Sequence, residues 1–561
     1  MTKKNRRAKA GQRQAGKGGL PAGAKPSRPA GPKNPFSVPR ILLMALAFIS
    51  CCILAHYFIS GAGAYFNGGA QGLLWEKYDW PDTAYMSSLA GRGMFFEPDS
   101  TFSHSAPLVG YFPPLFPIAA ALAQKAIGDY ELVFKILSVA FWLAAAYLIT
   151  RDWKGIEFKI AILIIVFFLT AYNEWPPVLN RLREIMAIML MAFMFKNPLG
   201  LGDRKNYLIF GTLLVLAQPL VAVVAIAGYF FFNPKTGDFR IERRMAAPML
   251  ALAAIFALAY SGHLAASLNG WKAQNYIGCA YVMPAFMSHD LPRLAIFYLI
   301  VAPFFLLFLP TRHLKIAFLA FIAAAAALFA MSGNPGLFIA VTNIVASDMC
   351  FQALPVLAFF ALFPHKGEAK GNARLALLAI IIAAAIAQVC LSYTFEYSKG
   401  YGKLDDPERL FQNGTGIIAT RLYLWDAAKQ AYLIHFDFRL MSELALKGAN
   451  ATFAYSPIQQ FYDPEKYMPD IYGIVGSFGE NDLEKCIASK KSLEDRGIGY
   501  LSAEIVYDKF DYGWANAKTG WGAGIVENMK DSGFATKCGL EPVLIESTNS
   551  SNQNYFIWKF A

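Results

Sequence analysis

Three carboxylates fall within seven residues, Glu76, Asp79 and Asp82, in the stretch WEKYDWPDTAYMSSLAGRG (75–93). A carboxylate held beside a hydroxyl can take its proton or orient it for attack. Trp75, Tyr78, Trp80 and Tyr85 crowd the same stretch, and Pro81 directly precedes Asp82. A second set lies in AYNEWPPVLNRLREIMAI (171–188), with Glu174, Arg181 and Arg183. Arginine forks match phosphate oxygens and offset their charge. A third lies in 262–293, with His263, Lys272, His289, Asp290 and Arg293. Each set also has a plainer reading. The first can be a solvated loop with Asp82 capping a short helix from its N-cap position. The arginines can snorkel to an interface or pair with Glu184. His263 can be an ordinary solvated or hydrogen-bonded loop histidine.

The elements that must position these groups are apolar. The chain has 561 residues, 56% hydrophobic and 16% charged, with a mean hydropathy of +0.36. Several runs approach the 18 or so apolar residues needed to span about 30 Å of hydrocarbon. The composition excludes an ordinary soluble domain and predicts an α-helical polytopic membrane protein. The first span is ILLMALAFISCCILAHYFIS (41–60). Further apolar segments fall near 130–150, 160–172, 185–195, 207–217, 220–232, 245–261, 293–309, 314–331, 349–363 and 374–393, about eleven spans in all. PPLFPIAAALAQKAIG (113–128) is read as a helix lying at the outer face, and 207–232 is divided at Gln218 and Pro219 into a hairpin of two short spans.

Charge placement orients the spans. Residues 1–40 carry 11 Lys/Arg and no acid in a Gly/Pro/Ala-rich background. This predicts a disordered, basic cytoplasmic tail that contacts anionic lipid rather than nucleic acid. With the tail inside, the short loops 151–159, 196–206, 233–244, 310–315 and 364–374 hold 15 Lys/Arg. The long outer loop 61–129 holds three in 69 residues. That asymmetry follows the positive-inside rule. The three candidate sets then share the outer face of an inner (plasma) membrane protein.

Residues 394–561 differ in kind and are expected to form a small extracytoplasmic α/β domain. DIYGIVGSF, GIGYLSAEIVY, EPVLIES and NYFIWKF read as strands, and ENDLEKCIASKKSLEDRG and GAGIVENMKDSGF as helices ending at Gly. RLYLWDAAKQAYLIHFDFRLMSELALKG (421–448) reads as a helical lead-in. Of seven cysteines, Cys486 and Cys538 lie in this region and would be free to pair outside the cytoplasm; the spacing leaves open whether they meet. There is no Walker A loop, dinucleotide fingerprint or Cys/His zinc spacing, which argues against an ATP-driven pump.

One ordered set of motifs resembles a family. A first span is followed by an acid opening a Tyr-containing helix that ends at Gly (DTAYMSSLAGRGMF), then a Tyr with a double proline and Leu (YFPPLFPIAAALAQKAIG). Next comes a Gly-Asp turn into a span that begins with a cation (GDYELVFKILSVAFWLAAAYLITRDW). The order resembles the C-type (GT-C) membrane glycosyltransferases, in the protein O-mannosyltransferase and aminoarabinose-transferase branch, over about residues 41–235. Thr83 stands where that branch usually has Glu, and Lys135-Ile136 where it has Arg-Leu, marking a divergent member. The resemblance implies transfer of a sugar from a polyprenyl-phosphate donor to a lipid, glycan or protein acceptor on the outer face. It implies Asp82 as the first-loop acid, with Asp79 in reserve, and Glu174 as the second acid. Arg181, Arg183 and Arg293 would hold the donor phosphate, and Tyr85 and His263 would contact acceptor or donor. A metal-dependent version would hold a divalent cation, Mg or Mn, at Asp82 and Glu174. The competing expectations are a transporter or flippase of lipid-linked saccharides and a non-catalytic envelope assembly protein. A transporter calls for ionisable groups or broken helices at mid-membrane, often in repeated halves.

Overall fold

The computed structural model describes residues 80–96, 108–110, 113–153, 182–231, 241, 243–262, 411, 416–426, 431–436, 452–453, 468–506, 520–547 and 553–561, with scattered positions in 38–49, 159–163 and 302–323 and residue 379. The helical part comprises α1 (Trp80–Gly91), α2 (Leu115–Ile127), α3 (Tyr130–Thr150), α4 (Leu182–Lys196), α5 (Asp203–Ala217), α6 (Pro219–Phe231) and α7 (Ala246–Ala259), the last preceded by a 3-10 turn at Arg243–Met245. Of the expected apolar segments, 130–150, 185–195, 207–217, 220–232 and 245–261 coincide with α3 to α7 within a few residues. Most of the others lie outside the described residues. α3 has 21 residues, about 31 Å at 1.5 Å per residue. Its segment Leu132–Thr150 is the one helix among the described residues long and apolar enough to cross a membrane.

Local chemistry explains the breaks. α2 follows Pro113-Pro114 and ends at Gly128, whose left-handed φ of 87° returns its N–H to Gln124. Asp129 then leads into α3. The run 203–231 is divided by Gln218, which is extended (φ −159°, ψ 107°), because Pro219 cannot supply the N–H that would continue α5. The two halves fold back on each other: the Tyr207 hydroxyl donates to the Ile226 carbonyl (3.1 Å), and Tyr207 and Tyr229 rings lie 5.1 Å apart.

α3 and α4 run parallel, their ends meeting at Asp152 and Lys196, and from α4 to α7 successive helices alternate in direction. At one end Lys196 pairs with Asp152 at 2.6 Å, Arg151 approaches the same carboxylate at 3.6 Å, and the buried Asn206 amide donates to the Met194 carbonyl (2.6 Å). The starts of α4 and α6 and the ends of α5 and α7 gather at the opposite end. Between them runs one apolar core, including Phe134, Ala145, Ile149, Met191, Phe210, Leu214 and Ala222.

The C-terminal part is a mixed sheet flanked by helices. Its strands are β1 (Gly416–Asp426), β2 (Ala431–Phe436), β3 (Thr452–Phe453), β4 (Ile498–Val506), β5 (Leu540–Ser547) and β6 (Gln553–Phe560). The order is β2-β1-β4-β6-β5, with β3 beside β1. β1 and β4 run parallel, joined by a connection that includes α8 (Met468–Glu480) and α9 (Leu483–Glu494); α10 (Gly520–Lys530) and α11 (Ser532–Cys538) precede β5. Asp482 and Asp531 cap α9 and α11 by accepting from the backbone N–H of Lys485 and Gly533. Leu501, Ala503, Phe556 and Trp558 on the sheet bury against Ile471, Ile474, Val475, Phe478 and Met529 on the helices. The rings of Phe556, Trp558 and Phe478 stack at 5.0 and 6.0 Å. The other sheet face is buried at its centre too, where the Ser502 hydroxyl donates to Tyr555 (2.9 Å).

Two expectations here are corrected. DIYGIVGSF is part of helix α8, not a strand. Ile471, Ile474, Val475 and Phe478 fall at helical spacing, and all four are buried on the sheet. The segment 421–448 begins not as a helix but as a hairpin, with β1 and β2 in register from Thr420↔Phe436 to Asp426↔Ala431. Ala, Lys and Gln favour helix locally, but Thr420, Arg421, Leu422 and Tyr423 of β1 gain a pairing partner on each side, in β2 and β4.

Candidate active site

The first-loop acid sits on a packed helix. α1 begins at Trp80, two residues before the N-cap position expected for Asp82. Pro81 accounts for the difference: its fixed φ and missing N–H suit a helix's first turn. Asp82 therefore lies within that turn, where the helix dipole favours a negative charge. Behind it α1 is buried nearly throughout, with Thr83, Ala84, Met86, Ser87 and Leu89 at most 1% exposed. This excludes a solvated loop for this segment.

Three contacts hold α1. The Tyr130 hydroxyl at the start of α3 donates to the Ser87 carbonyl (3.0 Å). Gly91 lets the same hydroxyl approach, since a Cβ there would lie 2.6 Å from it. Met86 and Ala90 pack with Leu108 and with Ala121 of α2. The Tyr-to-α1 bond links elements 43 residues apart, so the C-terminal half of α1 is tied to the start of α3.

The second set centres on the first turn of α4. Arg183 is half-buried, while Glu184 is 3% exposed. The Glu184 carboxylate accepts from the Gln218 amide at 2.8 Å, which ties α4 to the break between α5 and α6. The break is itself braced. In a continuous helix the Val215 carbonyl would accept from residue 219, which is proline; the Tyr260 hydroxyl donates to that carbonyl instead, at 2.6 Å. One residue before Tyr260, the Ala259 carbonyl accepts from the Gly110 N–H (2.9 Å). Leu108 and Gly110 thus connect α1 to the end of α7, and Tyr260 connects α7 to the end of α5.

Of the expected site residues, Asp82 and Tyr85 lie on α1 and Arg183 on α4. Asp79, Glu174, Arg181, His263 and Arg293 fall outside the described residues, so Arg183 is the one member of its set with a described side chain. Among the described residues no three His, Cys, Asp or Glu side chains converge as a metal site. Glu184, Gln218 and Tyr260 join the neighbourhood, although sequence reading gave them no role in the chemistry. A signal was present for two of them: Gln-Pro interrupts an apolar run, and a Glu stands at the head of another.

No protein-family profile matches the chain, and no curated protein matches it.

Proposed function

We propose that the chain is a membrane glycosyltransferase that moves a sugar from a polyprenyl-phosphate donor to a cell-envelope acceptor at the outer face. The observation that carries this reading is the burial of α1. A helix bearing an acid in its first turn, buried behind that turn at Thr83, Ala84 and Met86 to Ala90 and bonded to the start of α3, gives that acid a firmly seated base. In the proposed reaction Asp82 takes the proton from the acceptor hydroxyl. The oxygen attacks the anomeric carbon, and the bond from that carbon to the phosphate oxygen breaks. The lipid phosphate leaves with its charge offset by Arg181, Arg183 and Arg293. Glu174 serves as the second acid, Asp79 is the reserve base, and Tyr85 and His263 contact the sugars. The disulfide between Cys486 and Cys538 supports an extracytoplasmic C-terminal region, since such bonds persist in oxidising compartments.

The test uses the full chain in vesicles with a polyprenyl-phosphate-linked sugar. Asp82→Asn should lower turnover about 100-fold or more. Full activity in that variant removes Asp82 from the chemistry. A second reading, transport of the lipid-linked saccharide, is favoured by the buried Glu184 beside a broken helix. Glu184 lies in the first turn of α4 rather than at mid-helix, which favours the enzyme. Translocation of the lipid-linked sugar without transfer would reverse that order.

A further inference from the structure

We propose that Glu184 and Gln218 are positioning residues for a lipid phosphate, their buried hydrogen bond setting the first turn of α4 so that Arg183 is held toward the donor. The inference rests on the glycosyltransferase reading.

A carboxylate 3% exposed in a core of Ile, Leu, Met and Phe is a costly choice where an apolar side chain would pack. What it gains is a directional contact. Glu184 reaches from α4 to Gln218, 34 residues away, at the point where α5 gives way to α6. That point cannot shift freely, because Tyr260 holds the Val215 carbonyl left without a helical donor by Pro219. The first turn of a helix otherwise frays, its N–H groups lacking partners within the helix. Successive side chains on a helix point about 100° apart. With Glu184 turned inward onto Gln218, Arg183 is turned away from the core, in agreement with its half-buried state. Rotation of this turn would carry the guanidinium with it.

The experiment measures binding of a polyprenyl monophosphate and of the parent polyprenol to the full chain in phosphatidylcholine vesicles by tryptophan-fluorescence titration. Wild type should prefer the phosphate. Glu184→Ala, Gln218→Leu and Arg183→Ala should each reduce that preference tenfold or more. Glu184→Gln keeps an oxygen that accepts from Gln218 and should stay within threefold of wild type. Wild-type preference in Glu184→Ala and Gln218→Leu overturns the positioning role and leaves the enzyme reading standing. So does equal loss of both ligands in those two variants, which marks a purely structural role, or a Glu184→Gln variant as weak as Glu184→Ala. A wild-type protein without preference for the phosphate overturns the donor reading, and this inference with it.

Discussion

The bond between Cys486 and Cys538 joins α9 to the end of α11 across a sequence separation of 52, and both residues are at most 1% exposed. Replacing both cysteines by alanine removes the cross-link. The loop-closure relation for 52 residues gives an entropy loss in the unfolded chain of about 14 cal/mol/K, or about 4 kcal/mol at 25 °C. For a region of this size that corresponds to a fall in Tm of about 8–16 °C. The assay is thermal unfolding of the full chain, followed by limited proteolysis so that the C-terminal region is read separately. Wild type under reducing conditions should approach the variant. Mass spectrometry of a non-reduced digest, from protein alkylated in intact cells, should find the two cysteine peptides linked. Alkylated, unlinked Cys486 and Cys538 would refute the pairing and remove the support it lends to export of this region. An unchanged Tm in the variant would refute the loop-entropy argument alone.

Three further perturbations follow from single contacts. Tyr260→Phe leaves the Val215 carbonyl buried without its donor and should cost about 1–3 kcal/mol, read as a lower thermal midpoint in detergent. Gly91→Ala places a Cβ 2.6 Å from the Tyr130 hydroxyl and should cost about 1–3 kcal/mol. The double variant with Tyr130→Phe should cost less than the sum of the two singles, and strict additivity would disprove the clash. Lys490→Met removes the ammonium that bonds Glu494 and the Ala561 carbonyl, each at 2.8 Å, and should cost about 1.5–3 kcal/mol. A midpoint equal to wild type would show that this clamp carries no stability.

Local pattern made much of the helical part legible. Apolar runs bounded by Pro, Gly and charges marked α2 through α7, because helix length, capping and breaking depend on neighbours in the chain. The break at Gln218-Pro219 was readable for the same reason. So were β4, β5 and β6, whose β-branched and aromatic residues suit strands. The errors arose where local preference and tertiary partner disagree. DIYGIVGSF has the composition of a strand but places its large residues on one helical stripe, and the sheet beneath selects the helix. The segment from 421 has helix formers at its centre, and pairing of β1 with both β2 and β4 overrides them.

The candidate site divides the same way. Sequence by itself determined which groups are available: an acid behind Pro81, arginines at the mouth of an apolar segment, a Gln-Pro interruption, and two cysteines in the polar C-terminal region. These follow from side-chain chemistry and local backbone rules. Only the tertiary structure decided who meets whom: Tyr130 with Ser87, Glu184 with Gln218, Tyr260 with Val215, and Cys486 with Cys538. The separations are 43, 34, 45 and 52 residues, far beyond the reach of helical or strand periodicity. Such pairs are set by helix register and by the need to satisfy each buried polar group, conditions that apply only once the chain has packed.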